Sequence, residues 1–383
     1  MSLEEQLREM FHRRTAETHP SEIAWSRLVQ RVQRVERRRT VARLTISLAV
    51  VLILIGSTSL LWIVFRGTSG REATIRGPGA VQANLESILR LQGEASDIES
   101  GAGQAWAAVP EVGGKCPGEL IRLDAESRDV ARFATLGSPV ALSEFGSSLW
   151  VAERGCTGQE PSSLARVDSG TGDVIARWVL SEDPNFPVDL RVGGSGAWVL
   201  GETQGDSPEL LHVDPADGAR LGRTQLTGRP KEIAVLDDSV WILNSEVSAG
   251  SLLRVSVATH QVTSELALGS SPFGLAAGHG SVWTSGARTA IMVDPTNNEV
   301  VELPLASSFQ PFGVDTEGVW FIGNDYDSGR PIIAHLSAET GAVDERIMLD
   351  SVPLGASLAD DFSSIWAYTD RREALRIALE IPD

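Results

Sequence analysis

Five residues of this chain stand beside recurring prolines and are the best candidates for contact with a ligand: Phe186, Asp189, Glu232, Phe273 and Phe312. Two carboxylates and three aromatic rings are a set for binding by charge and stacking, not for nucleophilic attack. Further acids, Glu202, Asp206, Glu209, Asp325 and Asp327, fall in longer polar stretches nearby. Metal or acid–base catalysis would need histidines converging with such carboxylates. The six histidines are instead dispersed. His12 and His19 lie near the N-terminus, His260 and His279 fall in tight turns, and His212 and His335 sit inside apolar runs. The segment Asp325-Tyr-Asp327-Ser-Gly329 opens like a calcium loop, yet its twelfth position is Leu336 where such a loop has Glu. Neither a Gly-rich phosphate loop nor a GxSxG or HExxH motif occurs. The expectation is therefore a binding site, with no catalytic residue, metal or cofactor assigned.

What could hold those residues together is a repeat. Residues 270–305 contain four short β-branched or apolar runs separated by turn residues, and the chain beyond residue 83 repeats the pattern. A tryptophan marks each unit: Trp106, Trp150, Trp198, Trp241, Trp283, Trp320 and Trp366, at gaps of 44, 48, 43, 42, 37 and 46. Four strands per unit at this period predict a β-propeller, and seven tryptophans predict seven blades. Each tryptophan is expected to fill the wedge between blades. Asp124, Asp168, Asp214 and Asp294, each ending a third strand, are expected to bond their own turns.

The last unit has three strands, at 358–361, 365–368 and 375–379. The segment 85–91 has the alternation of an outer strand but no blade of its own, so it is predicted to complete the seventh blade and close the ring. The variable loops after each second strand share a face with the links between blades. That face is the expected binding face, with Phe186, Asp189, Glu232, Phe273 and Phe312 near the channel mouth. The plainer alternative is solvated loops and phenylalanines packed between blades. Cys116 and Cys156 fall in loops of this class on adjacent blades, where a disulfide would pin the two loops together outside the cell. Two free thiols are the alternative that spacing leaves open.

The N-terminal part differs in kind. Up to Arg43 the chain carries ten Arg against six Glu, leaving 23 basic and 45 acidic residues for the rest. An acidic domain with no basic stripe argues against nucleic acid as its partner. Residues 1–43 are expected to form an Arg-rich helical leader, with Trp25, Leu28, Val29, Val32 and Val35 on one stripe. Residues 44–65 hold no charge and would span about 33 Å as a helix, enough to cross a bilayer. Arginines dominate the N-terminal flank, which places the leader in the cytoplasm and the propeller outside. Residues 66–82 read as a stalk, and 83–383 as the propeller.

Two resemblances add to this. The units SPFGLAAGHGSVWTSG…AIMVDPTNNEVVELPL and RPKEIAVLDDSVWILN…LLRVSVATHQVTSELAL resemble YVTN-type and streptogramin-lyase-like propeller repeats, across roughly residues 83–383. That resemblance implies the propeller fold and, as an alternative function, a metal-dependent lyase or lactonase. The leader MSLEEQLREMFHRRTAETHPSEIAWSRLVQRV followed by the span resembles actinobacterial anti-sigma-like membrane proteins. It implies a cytoplasmic regulator, such as a sigma factor, as partner. The expectation is thus an all-β seven-bladed propeller behind a helical leader and one transmembrane helix. It would sit in the cell membrane as a single-pass protein and bind an extracytoplasmic ligand or protein without catalysis, with a possible sensor role.

Overall fold

The computed structural model describes residues 83–379 apart from 102–103, 125–128, 158, 204–206, 246–249, 270–271, 306–307 and 326–327. The expected leader, membrane helix and stalk, residues 1–82, lie outside the described residues, as do Asp206 and Asp327. Short β-branched runs bounded by turn residues form strands here, and these gather into seven four-stranded antiparallel sheets. The innermost strands are Asp97–Gly101, Ser138–Phe145, Pro187–Gly193, Pro230–Leu236, Phe273–Gly278, Phe309–Val314 and Pro353–Leu358. They pack against one another around a central channel, so the predicted seven-bladed propeller is the fold.

The seventh sheet is completed from the other end of the chain. Ala83–Arg90 runs antiparallel to Glu373–Leu379, with Ala83 opposite Leu379 and Arg90 opposite Glu373. The ring closes as the strand pattern predicts.

Packing between blades follows from the tryptophans. A four-stranded sheet has two faces, and each blade buries them against its two neighbours. Seven apolar cores result, and each takes one tryptophan from the preceding blade. Trp241, for example, enters the core built from Leu275, Val282, Ile291 and Val293 of the next blade. All seven are at most 3% exposed. Each removes on the order of 200 Å² from water, or about 5 kcal/mol.

The third strand covers each ring from the other side. The residue directly across from each tryptophan is, in order, Arg122, Arg166, His212, Arg254, Met292, His335 and Arg376. The guanidinium carbon of Arg254 lies 5.2 Å from the Trp241 ring centroid, and His212 stacks on Trp198 at 3.9 Å and 5°. Cations over indole faces add attraction to the area already buried. Three of the turn aspartates behave as expected: Asp168 Oδ1 accepts from the Gly170 and Thr171 N–H groups at 3.0 and 2.8 Å, Asp214 from Ala216 N–H and Asp294 from Thr296 N–H, while the turn after Asp124 lies outside the described residues.

Cys116 and Cys156 are joined by a disulfide, with Cα atoms 5.5 Å apart. It links the loops after the second strands of the first two blades. We expect Trp241→Ala to cost about 3–5 kcal/mol, and Cys116→Ser about 2–4 kcal/mol. Chemical denaturation under non-reducing conditions checks both.

Candidate functional site: the central channel

The innermost strands alternate between the blade cores and the channel. The residues paired with the seven tryptophans form one layer of the channel wall: Glu99, Ser143, Arg191, Ala234, Ala276, Gly313 and Ser357. Two positions nearer the link face come Asp97, Asp189 and Glu232. The wall is therefore uneven. The first, third and fourth blades carry charge, while the fifth, sixth and seventh offer only small residues at the tryptophan layer.

One guanidinium sits among these carboxylates. An Arg191 N–H donates to Asp189 Oδ1 at 3.0 Å and another bond runs to the Leu190 carbonyl at 2.7 Å. The carboxylates are also tied to the backbone of the next blade. Asp97 Oδ2 accepts from Leu142 N–H at 2.8 Å, Asp189 Oδ2 from Ile233 N–H at 2.8 Å, and Glu232 Oε2 from Leu275 N–H at 2.7 Å. Serines act alike: Ser143 Oγ accepts from Val192 N–H at 2.9 Å, and Ser357 Oγ from Ser100 N–H at 3.1 Å. An innermost strand has a bare edge, and these acceptors satisfy its N–H groups.

Burial sets the ionisation of the cluster. It raises Glu99 to about 8, against the pull of Arg191 and with the help of Asp97. Asp97 rises to about 6 for the same first reason, again opposed by Arg191. Glu232 rises to about 7 through burial and the nearby Asp189 charge. Asp189 is likewise pushed up by burial, with Arg191 opposing. At Arg191 burial works against the charge, and the surrounding carboxylates outweigh it.

Arg191 and Asp97 line two cavities. The smaller, of about 210 Å³, lies toward the link face, between Asp189, Glu232, Phe312 and Tyr368. The larger, of about 610 Å³, runs to the opposite face and ends at His279, Asp360 and Phe362 in the hairpins after the innermost strands.

The five candidate residues divide. Asp189, Glu232 and Phe312 come together in the smaller chamber. Phe273 is half-buried and contributes its carbonyl to the Ser285 hydroxyl at 2.8 Å. Phe186 is corrected: it is wholly buried in the core between the second and third blades and is closed to a ligand. The loop acids are corrected in part. Glu209 is 5% exposed and ion-paired with Arg223, and Asp325 accepts from the Ser328 hydroxyl at 2.6 Å. Glu119 with Arg132 and Glu153 with Arg177 repeat the Glu209 arrangement, a buried acid capped by an outer-strand arginine.

Sequence reasoning missed Asp97, Glu99 and Arg191. Their signal is the polar–apolar–polar alternation Asp97-Ile98-Glu99 and Asp189-Leu190-Arg191, which turns charges to one face of an innermost strand. His212, His260 and His335 serve the blades. His212 Nε2 lies 2.6 Å from the Ser195 carbonyl, and its Nδ1 2.9 Å from His260 Nε2. Since a carbonyl only accepts, His212 carries its proton on Nε2 and accepts from His260. A Cβ at Gly222 would fall on the His260 ring, so glycine permits this approach. For His335, burial disfavours the charge, but hydrogen bonds with Asp315 and Asp344 win and raise it to about 9. Among the described residues no group of three or more His, Cys, Asp or Glu is placed to hold a metal ion.

The sign of the pH dependence follows. Glu99 keeps its proton when folded up to about pH 8, whereas an unfolded glutamate releases it near 4.3. Between these values the unfolded state binds fewer protons, so stability falls as pH rises. The raised value of His335 adds stability below its unfolded range, which is lost as pH climbs through about 9. We expect the denaturation midpoint to fall from pH 5 to pH 9, and Glu99→Gln to flatten the lower part of that slope. A series of urea titrations across this range measures it.

No protein-family model and no curated protein matches this chain. Solved structures do. A hydrazine synthase chain of Kuenenia stuttgartiensis matches with a TM-score of 0.55 at 12% identity, over 73% of this chain and 93% of that one. The WD40 β-propeller domain of Doa1 matches at 0.59 and 10%, over 78% and 98%. A chain of the mitotic checkpoint complex matches at 0.58 and 10%, over 85% and 100%. At such identities the likeness is one of fold: the described chain is a seven-bladed β-propeller.

Proposed function

We propose that this protein is a membrane-tethered, non-catalytic binding propeller that presents its link face to an extracytoplasmic protein or ligand. The observation that carries the reading is how that face is built. Loops of two adjacent blades are stapled by the Cys116–Cys156 disulfide, and Leu136, whose carbonyl lies 3.8 Å from the Cys156 sulfur, is 74% exposed beside them. Leu354, at the mouth of the smaller chamber, is 42% exposed. Apolar side chains held out on a rigid, cross-linked platform are suited to a partner surface. The WD40 β-propeller domain of Doa1 and a chain of the mitotic checkpoint complex are alike to it in fold, and the β-propeller is a fold often used for protein binding. A disulfide-stapled domain suits an oxidising compartment, which agrees with the arginine bias ahead of residues 44–65.

In this reading the leader, residues 1–43, carries occupancy inward to a cytoplasmic regulator such as a sigma factor. A single helix transmits shape poorly, so clustering or regulated cleavage of the stalk would convey the signal. The rival reading is a metal-dependent lyase or lactonase. Affinity capture of the full-length protein from its native membrane, compared with a chain lacking residues 1–42, tests the proposal. A cytoplasmic regulator recovered only with the leader present is the expected result. Recovery of the same envelope proteins from both would remove the sensor role and leave the binding module. Elemental analysis of the purified protein is expected to find no stoichiometric divalent metal; one ion per chain would favour the lyase.

A further inference from the structure

The larger chamber of the channel has a use that the link face does not explain. Its volume of about 610 Å³ falls within the range of small-molecule sites, roughly 300–1,000 Å³. It exists because the wall is uneven. Where the first and third blades place Glu99 and Arg191, the fifth, sixth and seventh place Ala276, Gly313 and Ser357, so half of the layer is empty.

Its chemistry is directional. The closed end holds Asp97 and Glu99, with Asp189 and Glu232 behind them, against a single guanidinium that is already bonded to Asp189 and a carbonyl. The sides are apolar, from Leu275, Val192, Val235 and Val314. Rings stand along the way out: Phe312, and at the mouth His279 and Phe362, whose centroids are 5.6 Å apart. These two come from hairpins of the fifth and seventh blades and meet across the opening. Both lie in the left-handed region, with φ of 47° for His279 and 57° for Phe362. A phenylalanine seldom adopts that conformation, and here it turns the ring to the cavity. Asp360, beside it, adds a further acid at the mouth.

We propose that this chamber binds an organic ammonium ion, its nitrogen against Glu99 and Asp97 and its apolar body between Leu275, Val314 and Phe312. Ring faces attract such cations as well as apolar groups. An anion is disfavoured, since the one guanidinium, bonded through Nη1 to Asp189 and the Leu190 carbonyl, stands among Asp97, Glu99, Asp189 and Glu232. Burial holds Glu99 protonated to about pH 8 even beside Arg191, and the ligand supplies a second positive charge. Binding near neutral pH therefore transfers the Glu99 proton to the buffer, leaving a carboxylate–ammonium pair. The site concerns the channel and the hairpin face, so its failure would leave the partner surface proposed above untouched.

The test is calorimetric titration of the full-length protein in a non-ionic detergent. Benzyltrimethylammonium and phenethylammonium are the probes, with benzyl alcohol and phenylacetate as neutral and anionic controls. Saturable one-to-one binding of at least one cation is expected, with none for the controls. Its heat should vary with the ionisation enthalpy of the buffer, which reports proton release. Glu99→Gln should weaken binding about tenfold, the loss of one charge-assisted contact, and abolish the buffer dependence. Phe362→Asn, which suits the left-handed backbone, should fold normally and also weaken binding. Failure of both cations to bind, equal binding of benzyl alcohol, or undiminished affinity in the folded Glu99→Gln protein would overturn the proposal.

Discussion

A four-stranded sheet with two apolar faces has no stable existence in water, and everything else in this structure answers that constraint. Each blade covers one face with its predecessor and the other with its successor, and the seam is filled by an indole from one side. Cores shared in this way belong to no single blade. The last of them, which joins Trp366 to Ile98, Ala105 and Ile121, forms only when the two ends of the chain meet. Ring closure is thus the condition on which that seventh seam depends.

Closure brings seven bare strand edges to the axis, where buried N–H groups left unmet are costly. The channel carboxylates and serines answer that need, each reaching to the backbone of the next blade. The same groups make the channel negative. A device for holding strands together and a device for attracting cations are here the same side chains, with burial setting their ionisation. The asymmetry of the ring then separates two regions. One end offers stapled loops and exposed leucines, and the other offers a chamber half-lined by small residues.

The architecture was legible because it rests on repeated large features: tryptophans at a near-constant spacing, prolines at strand starts, and a last unit one strand short. The site was less so, and the reason is geometric. Phe186 lies just ahead of the innermost strand Pro187–Gly193 and packs into a blade core, while Asp189, beyond a β-bulge, lines the channel. Bulges recur at the same place in the second, fourth, fifth, sixth and seventh blades, and a change of parity sends a side chain to the opposite face. Glu209 was misread as a loop acid because its partner, Arg223, lies on an outer strand that only the folded sheet brings alongside. His279 stood in a tight turn apart from the variable loops, and the width of the channel there depends on residues of five other blades.

The pairing of Ala83 with Leu379 places the first described residue at the start of the strand that closes the ring. Any pull arriving along the chain from the amino-terminal side therefore reaches that strand first, and its pairs with Glu373–Leu379 bear the load. Pulling is thus resisted at the seam on which the ring depends. Rupture there would open the seventh blade first, and with it the core that joins the two ends of the chain.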